Sequence, residues 1–391
     1  MKKKLSDELI GRLNRLKDSI PVNNSLGSNE LFHSDWLISL LNHENQLIES
    51  LFGVTLNGPI RVHREKQHID IKIENETDCV NIENKVKDIP RKDQLNKYQS
   101  GAANRKQIKR KQTNHWILLS MVRPWFFEGD SWNGWKWVSY SHVCEVLTKY
   151  ADKLPQGLLR LYLEEYIKFV ATLLQLYQEI KITDYESVFL DEYSMEILQD
   201  LRIHALFYKY RYSDLADRLR DRLEKMGERK IICDHHLLDK ADINTVLVEN
   251  NYFRGTGLFD FYVPIFESRK HNVFMGVELH DNSLKLFIST NDQSFSLKVS
   301  ENLMADKIWF DFMPAKKRGI SLGEYTVRKE FSQYNDGLWL YKAVKVEDIT
   351  QGEIIDLMCE YFSYIRKNHD CFQKACEDVE KHDMNEKNKK R

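Results

Sequence analysis

The sequence predicts an α/β protein whose core has the order helix, three strands, helix, strand, built on one mixed sheet. Apolar and polar residues alternate at 69–73 and at 80–86, which is typical of two β-strands joined by a turn at 75–78. A continuously apolar run at 115–121 predicts a strand inside the sheet. A helical connector and an α+β C-terminal domain are expected to follow this core.

The other core elements are predicted from local signals. Residues 30–51 form an amphipathic pattern with helical spacing, which predicts a long first helix. Gly58 and Pro59 precede a strand at 60–65, and Pro90 opens a helix that ends near residue 101. Helix, three strands, helix and strand therefore follow one another with short connections.

A length of 391 residues favours two or three domains. We expect a core with its N-terminal helix at 1–150, a helical connector at 151–230 and an α+β domain of unknown role at 231–376. The tail at 377–391 is polar and rich in lysine, which predicts disorder.

Composition narrows the class of protein. A net charge of -1 gives no overall attraction to nucleic acid, so any such binding must be local. Six scattered cysteines without a Cys-x-x-Cys pair suit a reducing compartment. The sequence has no apolar run of membrane-spanning length, and its first residues do not resemble a signal peptide. These features predict a cytoplasmic protein.

The predicted hairpin carries the most informative charges. Glu83 and Lys85 share one face of their strand because side chains alternate with period two, and Asp70 projects from the polar face of the preceding strand. Two carboxylates can hold a hard divalent cation, and a lysine can place positive charge on a developing oxyanion. These are components of metal-assisted phosphodiester cleavage. The alternative is a surface ladder of ion pairs. A weaker echo, Asp260 with Glu278 and His280, lies in the second half of the chain.

Glu30 falls on the same helical stripe as Leu37, Leu41 and Ile48, so the first helix is expected to direct a carboxylate along its buried side. Buried glutamates are rare unless they are paired or bind a cation. The alternative is that Glu30 only complements the dipole of the helix from its first turn.

Two further segments bear on nucleic-acid binding. Nine basic residues could grip phosphates beside the hairpin, although a solvated surface is the alternative. They are Lys87, Arg91, Lys92, Lys97, Arg105, Lys106, Lys109, Arg110 and Lys111. The aromatic-rich segment 124–140 could stack on bases. Its strand-like alternation favours core packing.

The order of elements and two motifs resemble the PD-(D/E)xK nuclease superfamily, over about residues 25–150. The motifs are Ile82-Glu83-Asn84-Lys85 and Asp93-Gln94-Leu95-Asn96-Lys97-Tyr98. The resemblance is closest to a prokaryotic branch that combines Ile-Glu-Asn-Lys with a Gln-Leu-x-x-Tyr helix. It implies a restriction-endonuclease-like αβββαβ core.

The resemblance also implies a metal site. Asp70 and Glu83 would bind Mg²⁺ or Mn²⁺ together with the main-chain carbonyl of Asn84. Ile69 stands where the family has a proline, which is a common departure.

Three more residues receive roles from the same resemblance. Lys85 would be the catalytic lysine, and Glu30 would be the acid of the first helix. Gln94 would be the polar residue near the phosphate.

The predicted function is therefore that of a Mg²⁺-dependent endonuclease, with DNA favoured over RNA as the substrate. The branch contains restriction-like and phage-defence proteins, which points to bacterial phage defence. A homodimer or a regulatory protein partner is compatible with the large C-terminal part. The alternative is a catalytically silent nuclease-like module that binds nucleic acid or a protein partner. A third hypothesis is that the enzyme is held inactive until its C-terminal half senses a partner.

Overall fold

The computed structural model describes residues 2–19, 22, 30–66, 69–86, 92–103, 112–181, 183–233, 242–322, 331–334 and 338–389. The chain divides into two compact units. The first unit comprises Lys4–Lys181 and Glu192–Tyr210, and the second comprises Met1–Lys3, Ile182–Asp191 and Arg211–Arg391. The helices of the expected connector at 151–230 are thus shared between the two units and do not form a unit of their own.

The first unit combines a mixed sheet with helices. Its helices are α1 (Asp7–Leu16), α2 (Glu30–His43), α3 (Leu47–Phe52), α4 (Lys92–Ala103), α5 (Tyr140–Ala151), α6 (Leu158–Ile180) and α7 (Glu192–Asp200), followed by the start of α8 (His204–Lys225). Its strands are β1 (Arg61–Lys66), β2 (Ile69–Glu74), β3 (Asp78–Lys85), β4 (Thr113–Ser120), β5 (Ser131–Trp132) and β6 (Trp135–Ser139).

The strands of this sheet lie in the order β1-β2-β3-β4-β6-β5. β1 pairs with β2, β2 with β3 and β5 with β6 in antiparallel fashion, whereas β3 and β4, and β4 and β6, pair in parallel. The predicted α/β class and the αβββαβ order are confirmed, with α2 as the first helix and α4 as the second.

β3 is buried on both faces, whereas the sequence predicts one polar and one apolar face. The reason is that helices lie on both sides of this strand. The side chain of Asn84 reaches Ser34 in α2, and that of Glu83 reaches Gln94 in α4. The charged positions of the hairpin are therefore interior positions.

The long first helix differs in extent from the prediction. The helix expected at 30–51 is divided into α2 and α3 by residues 44–46, and Gly53 ends α3 with a left-handed backbone at φ 66°. Leu37, Leu41 and Ile48 are buried, as the stripe predicts. Glu30 is the first residue of α2, and its side chain lies outside the described part.

The aromatic-rich segment 124–140 packs into the interior, as the alternation favours. Phe126, Phe127 and Trp135 form one buried cluster with Leu95 of α4 and Leu118 of β4. This cluster fixes α4 against the sheet, and α4 is the helix that carries Gln94.

The second unit is built on a seven-stranded sheet. Its strands are β7 (Ile231–Ile232), β8 (Val246–Phe253), β9 (Thr256–Glu267), β10 (Asn272–His280), β11 (Ser283–Thr290), β12 (Ser332–Tyr334) and β13 (Trp339–Lys345). Its helices, besides most of α8, are α9 (Gln293–Ala305), α10 (Met313–Lys317), α11 (Gln351–Lys367) and α12 (His369–Lys389). The strand order is β12-β13-β11-β10-β9-β8-β7, and the neighbours are antiparallel except for β7 and β8.

α12 continues to Lys389, where the sequence predicts a disordered tail from residue 377. Phe372, Cys376 and Val379 are buried at helical spacing and anchor the start of this helix. The polar residues that follow extend it.

All six cysteines are free thiols. In the part of the chain that the structure describes, no helix combines the length and apolar character needed to cross a membrane.

Candidate active site

Asp70 and Glu83 meet at the end of the β2–β3 ladder. The last paired residues of this ladder are Ile71 and Ile82, so Asp70 and Glu83 each lie one position beyond that pair. The backbone N–H of Asn84 donates a hydrogen bond of 2.7 Å to Oδ2 of Asp70. This bond holds the aspartate beside the glutamate, as the hairpin pattern predicts.

Lys85 pairs directly with Glu83. The distance from Lys85 Nζ to Glu83 Oε1 is 2.8 Å, and the side chains are 10% and 1% exposed, respectively. Asp70 is more exposed than either residue. The expected trio of Asp70, Glu83 and Lys85 is therefore brought together in a largely buried setting. The alternative of a surface ion-pair ladder is incompatible with this burial.

α4 contributes two polar side chains to Glu83. Gln94 donates a hydrogen bond of 2.9 Å from Nε2 to Glu83 Oε1, and the hydroxyl of Tyr98 donates one of 3.3 Å to the same oxygen. Gln94 also donates to the hydroxyl of Tyr98 over 2.7 Å. The contact of Tyr98 with Glu83 is not among the expected ones. Tyr98 follows Gln94 by four residues, a spacing that places both side chains on one face of the helix and indicates this contact.

Glu83 experiences strong and opposing electrostatic effects. Burial and the negative charge of Asp70 raise its pKa to about 7, although Lys85 and the hydrogen bond from Tyr98 act in the opposite direction. Its second oxygen, Oε2, is buried without a hydrogen-bond partner in the described structure. A buried carboxylate oxygen without a partner is costly unless a proton or a cation satisfies it.

The donor set at this point fits a hard divalent cation. Asp70 and Glu83 supply carboxylate oxygens, which are the ligands that Mg²⁺ prefers, and such an ion commonly takes only one or two carboxylates from the protein. Among the described residues, no group of three or more His, Cys, Asp or Glu side chains is arranged to hold a metal ion. A cation here would therefore rest on two carboxylates, main-chain oxygen and water.

The side chain of Asn84 has a structural role that the sequence analysis does not assign. Its Nδ2 donates a hydrogen bond of 2.9 Å to Ser34 Oγ, and its Oδ1 accepts one of 2.7 Å from the hydroxyl of Tyr140. Tyr140 also hydrogen-bonds the buried hydroxyl of Tyr166, which lies 3.2 Å from His33 Nδ1. This buried network fixes the residue whose N–H holds Asp70.

Most of the predicted phosphate-binding residues lie outside the described part of the chain. These are Lys87, Arg91, Arg105, Lys106, Lys109, Arg110 and Lys111. Of the two that are described, Lys97 is exposed on α4. Lys92 places its Nζ 4.4 Å from the ring centroid of Trp125, where a cation–π interaction accounts for its position.

Residues 47–168 match the family model of the PD-(D/E)XK nuclease superfamily. This range contains Asp70, Glu83, Asn84, Lys85 and Gln94, and Glu30 precedes it. No curated protein and no solved structure matches the chain.

Proposed function

We propose that this chain, whose residues 47–168 belong to the PD-(D/E)XK nuclease superfamily, is a metal-dependent endonuclease that cleaves nucleic acid, with DNA as the expected substrate. The observation that carries the proposal is the state of Glu83. Its carboxylate is buried beside Asp70 and Lys85, and one of its oxygens has no partner in the described structure. A purely structural ion pair would not require the second carboxylate.

Asp70 and Glu83 would hold Mg²⁺ or Mn²⁺, with the main-chain carbonyl of Asn84 completing the protein ligands. When bound, the cation would lower the pKa of a water molecule and offset the charge of the scissile phosphate. Asn84 and Tyr140 keep Asp70 in position through the buried hydrogen bonds.

The remaining side chains would act on orientation and charge. Lys85 would place its ammonium against the negative charge that develops on the phosphate. Gln94 and Tyr98 hold Oε1 of Glu83, and Oε2 keeps no hydrogen-bond partner in the described structure and would be available to the cation. Glu30, at the start of α2, is proposed as an additional acid on the strength of the family resemblance.

The basic segment 87–111 is proposed to bind the phosphate backbone. In the sequence, its nine lysines and arginines lie within or next to the residues of α4, the helix that carries Gln94. Affinity that comes from such contacts falls as the salt concentration rises, because bound counterions are released.

The biological setting belongs to the same proposal. The resemblance to a branch with phage-defence proteins supports a cytoplasmic role in bacterial antiviral defence, with a homodimer or a regulatory protein as partner. The second unit would then sense the partner or regulate the nuclease activity of the first unit.

The test is a cleavage assay of the full-length protein on plasmid DNA and on RNA, with Mg²⁺ or Mn²⁺ and with EDTA. We expect cleavage that depends on the metal and that falls by about 100-fold or more in Glu83→Ala and in Lys85→Ala. Glu76→Ala is the matched control, because Glu76 is an exposed carboxylate in the turn of the same hairpin.

Equal cleavage by the wild type and both site variants would refute the site assignment. Binding of nucleic acid without metal and without any cleavage would instead support the catalytically silent module.

A further inference from the structure

A row of ionisable side chains crosses four adjacent strands of the second unit. Glu249 of β8 lies opposite Asp260 of β9, Asp260 lies opposite Glu278 of β10, and Glu278 lies opposite Lys285 of β11. Residues directly opposite one another in antiparallel strands have their side chains on the same face. The row therefore places three carboxyl groups and one ammonium group side by side.

This row is interior. Asp260 is 1% exposed, and Glu278 and Lys285 are each 4% exposed. Lys285 Nζ lies 2.5 Å from Glu278 Oε1 and 3.0 Å from His280 Nδ1. Glu278 is thus paired, whereas no Lys or Arg among the described residues forms an ion pair with its neighbour Asp260.

Asp260 is the unsatisfied member of the row. Its Oδ1 is buried without a hydrogen-bond partner among the residues described. The hydroxyl of Tyr262 is hydrogen-bonded to the carboxyl group of Asp260. Burial, with the negative charges of Glu249 and Glu278, raises the pKa of Asp260 well above its usual range. The single ammonium of Lys285 does not offset three neighbouring carboxyl groups.

The arrangement repeats the composition of the candidate active site. In each place an aspartate on one strand faces a glutamate on the antiparallel neighbour, and a lysine is paired with that glutamate. In each place one buried carboxylate oxygen has no hydrogen-bond partner among the described residues.

The fold around the row is different. The lysine comes from the next strand, β11, and not from a Glu-x-Lys motif. The strand beside β11 is β13, which runs antiparallel to it, whereas in the first unit β4 runs parallel to β3. The second unit is therefore not a degenerate copy of the nuclease core, and the row must be explained by its own chemistry.

We propose that Asp260 and Glu278 form a second binding site for a divalent cation, Mg²⁺ or Mn²⁺, in the second unit. The two carboxylates would supply charged oxygen ligands, and water would fill the remaining positions. Glu249 adds negative charge beside them. Glu249, at the β8 end of the row, is partly exposed, so the row reaches solvent at that end. This site is independent of the proposed nuclease function.

The experiment counts Mn²⁺ ions bound to the full-length protein by electron paramagnetic resonance. The candidate active site is first removed by Glu83→Ala. We expect one Mn²⁺ to remain bound in this variant and its affinity to fall roughly tenfold or more when Asp260→Asn is added. Glu267→Gln is the matched control, because Glu267 is an exposed carboxylate at the end of the same strand.

A second readout places the cation without a change in any ligand. Terbium bound at the row should luminesce when tryptophan is excited, because the ring of Trp339 packs 5.4 Å from the ring of Tyr262. Trp339→Phe should weaken this luminescence while Mn²⁺ binding persists. The proposal is overturned if Glu83→Ala binds no Mn²⁺, or if a folded Asp260→Asn variant binds it unchanged. It is also overturned if Trp339→Phe leaves the luminescence intact.

Discussion

Glu83 combines several properties that rarely occur in one structural residue. It is buried, it faces a second carboxyl group, and it is held by a lysine, a glutamine and a tyrosine through one oxygen only. Burial of a carboxylate next to another carboxylate lowers stability unless a cation or a proton compensates. The cost of this arrangement to the cation-free protein should be measurable.

In the cation-free protein, Glu83→Gln should change how stability depends on pH. The folded-state pKa of Glu83 is about 7, whereas its ordinary value is 4.5. Between these values the unfolded chain has lost the proton and the folded protein keeps it, so stability falls as pH rises, by on the order of 3 kcal/mol in all. The variant should lack this fall. Urea denaturation in EDTA from pH 4 to pH 8 measures the free energy of unfolding of both proteins. If this free energy changed with pH in the same way in both, the raised pKa of Glu83 would be contradicted.

Tyr140→Phe should weaken both the fold and the proposed activity. The change removes the donor to Asn84 Oδ1 and leaves that buried oxygen unsatisfied, which costs about 1–3 kcal/mol. The N–H that holds Asp70 belongs to the same residue, so cleavage should fall as well. Urea denaturation and the plasmid assay measure the two effects. Tyr150→Phe on the same helix is the control, and equal losses in both variants would show that Asn84 is not involved.

At the scale of helices and strands, the sequence predicts those elements whose residues follow a local periodic pattern. The β2–β3 hairpin and the order of helices and strands along the core follow from alternation and turn residues, and both are present. The contacts of Asn84 with Ser34 and Tyr140 join positions 50 and 56 residues apart. No local pattern encodes such pairs, so the hydrogen-bonding role of the Asn84 side chain could be seen only in the folded chain.

The burial of β3 is a second feature that no local sequence pattern encodes. The alternation of Asn81, Glu83 and Lys85 with apolar residues predicts a polar face, but a period of two does not distinguish a face in contact with water from one covered by a helix. α4 covers that face and carries the partners of Glu83. Gln94, which belongs to the motif, contacts Glu83, but the burial that raises the pKa of Glu83 depends on packing that no motif encodes.

The β1–β2 hairpin should lose stabilisation in acid through Glu74. Burial alone would raise the pKa of Glu74, but hydrogen bonds from Lys66 and Lys72 and their charges lower it to about 2. The contribution is therefore complete above pH 4.5 and is lost as pH falls toward 2. Glu74→Gln should flatten the acid limb of the unfolding curve. Acid titration followed by circular dichroism tests this, with Glu76→Gln as the exposed control, and an unchanged acid limb would contradict it.

At the scale of the whole molecule, the two units do not follow one another along the chain. The first unit draws on two segments, and the second draws on three. Within the second unit, Lys3 is tied to the segment 182–191, since its N–H donates to Phe189 and its carbonyl accepts from Asp191. A fold assembled from separated segments gives no composition break at a boundary. That is why the expected divisions at 150 and 230 do not coincide with the units.

Cutting the chain after Lys181 should therefore damage the first unit, although the family match ends at residue 168. Such a fragment lacks α7, with its buried Ile197 and Leu198, and also Tyr210, whose hydroxyl donates a buried hydrogen bond of 3.0 Å to the carbonyl of Val86. Val86 directly follows the catalytic lysine candidate, so the loss reaches the proposed site. We expect the fragment 1–181 to unfold at a lower temperature than a fragment 1–227 that ends after α8, and to cleave less. Thermal unfolding and the plasmid assay compare the two fragments. A fragment 1–181 that matches the longer one in both measurements would mean that residues 192–210 do not support the nuclease core.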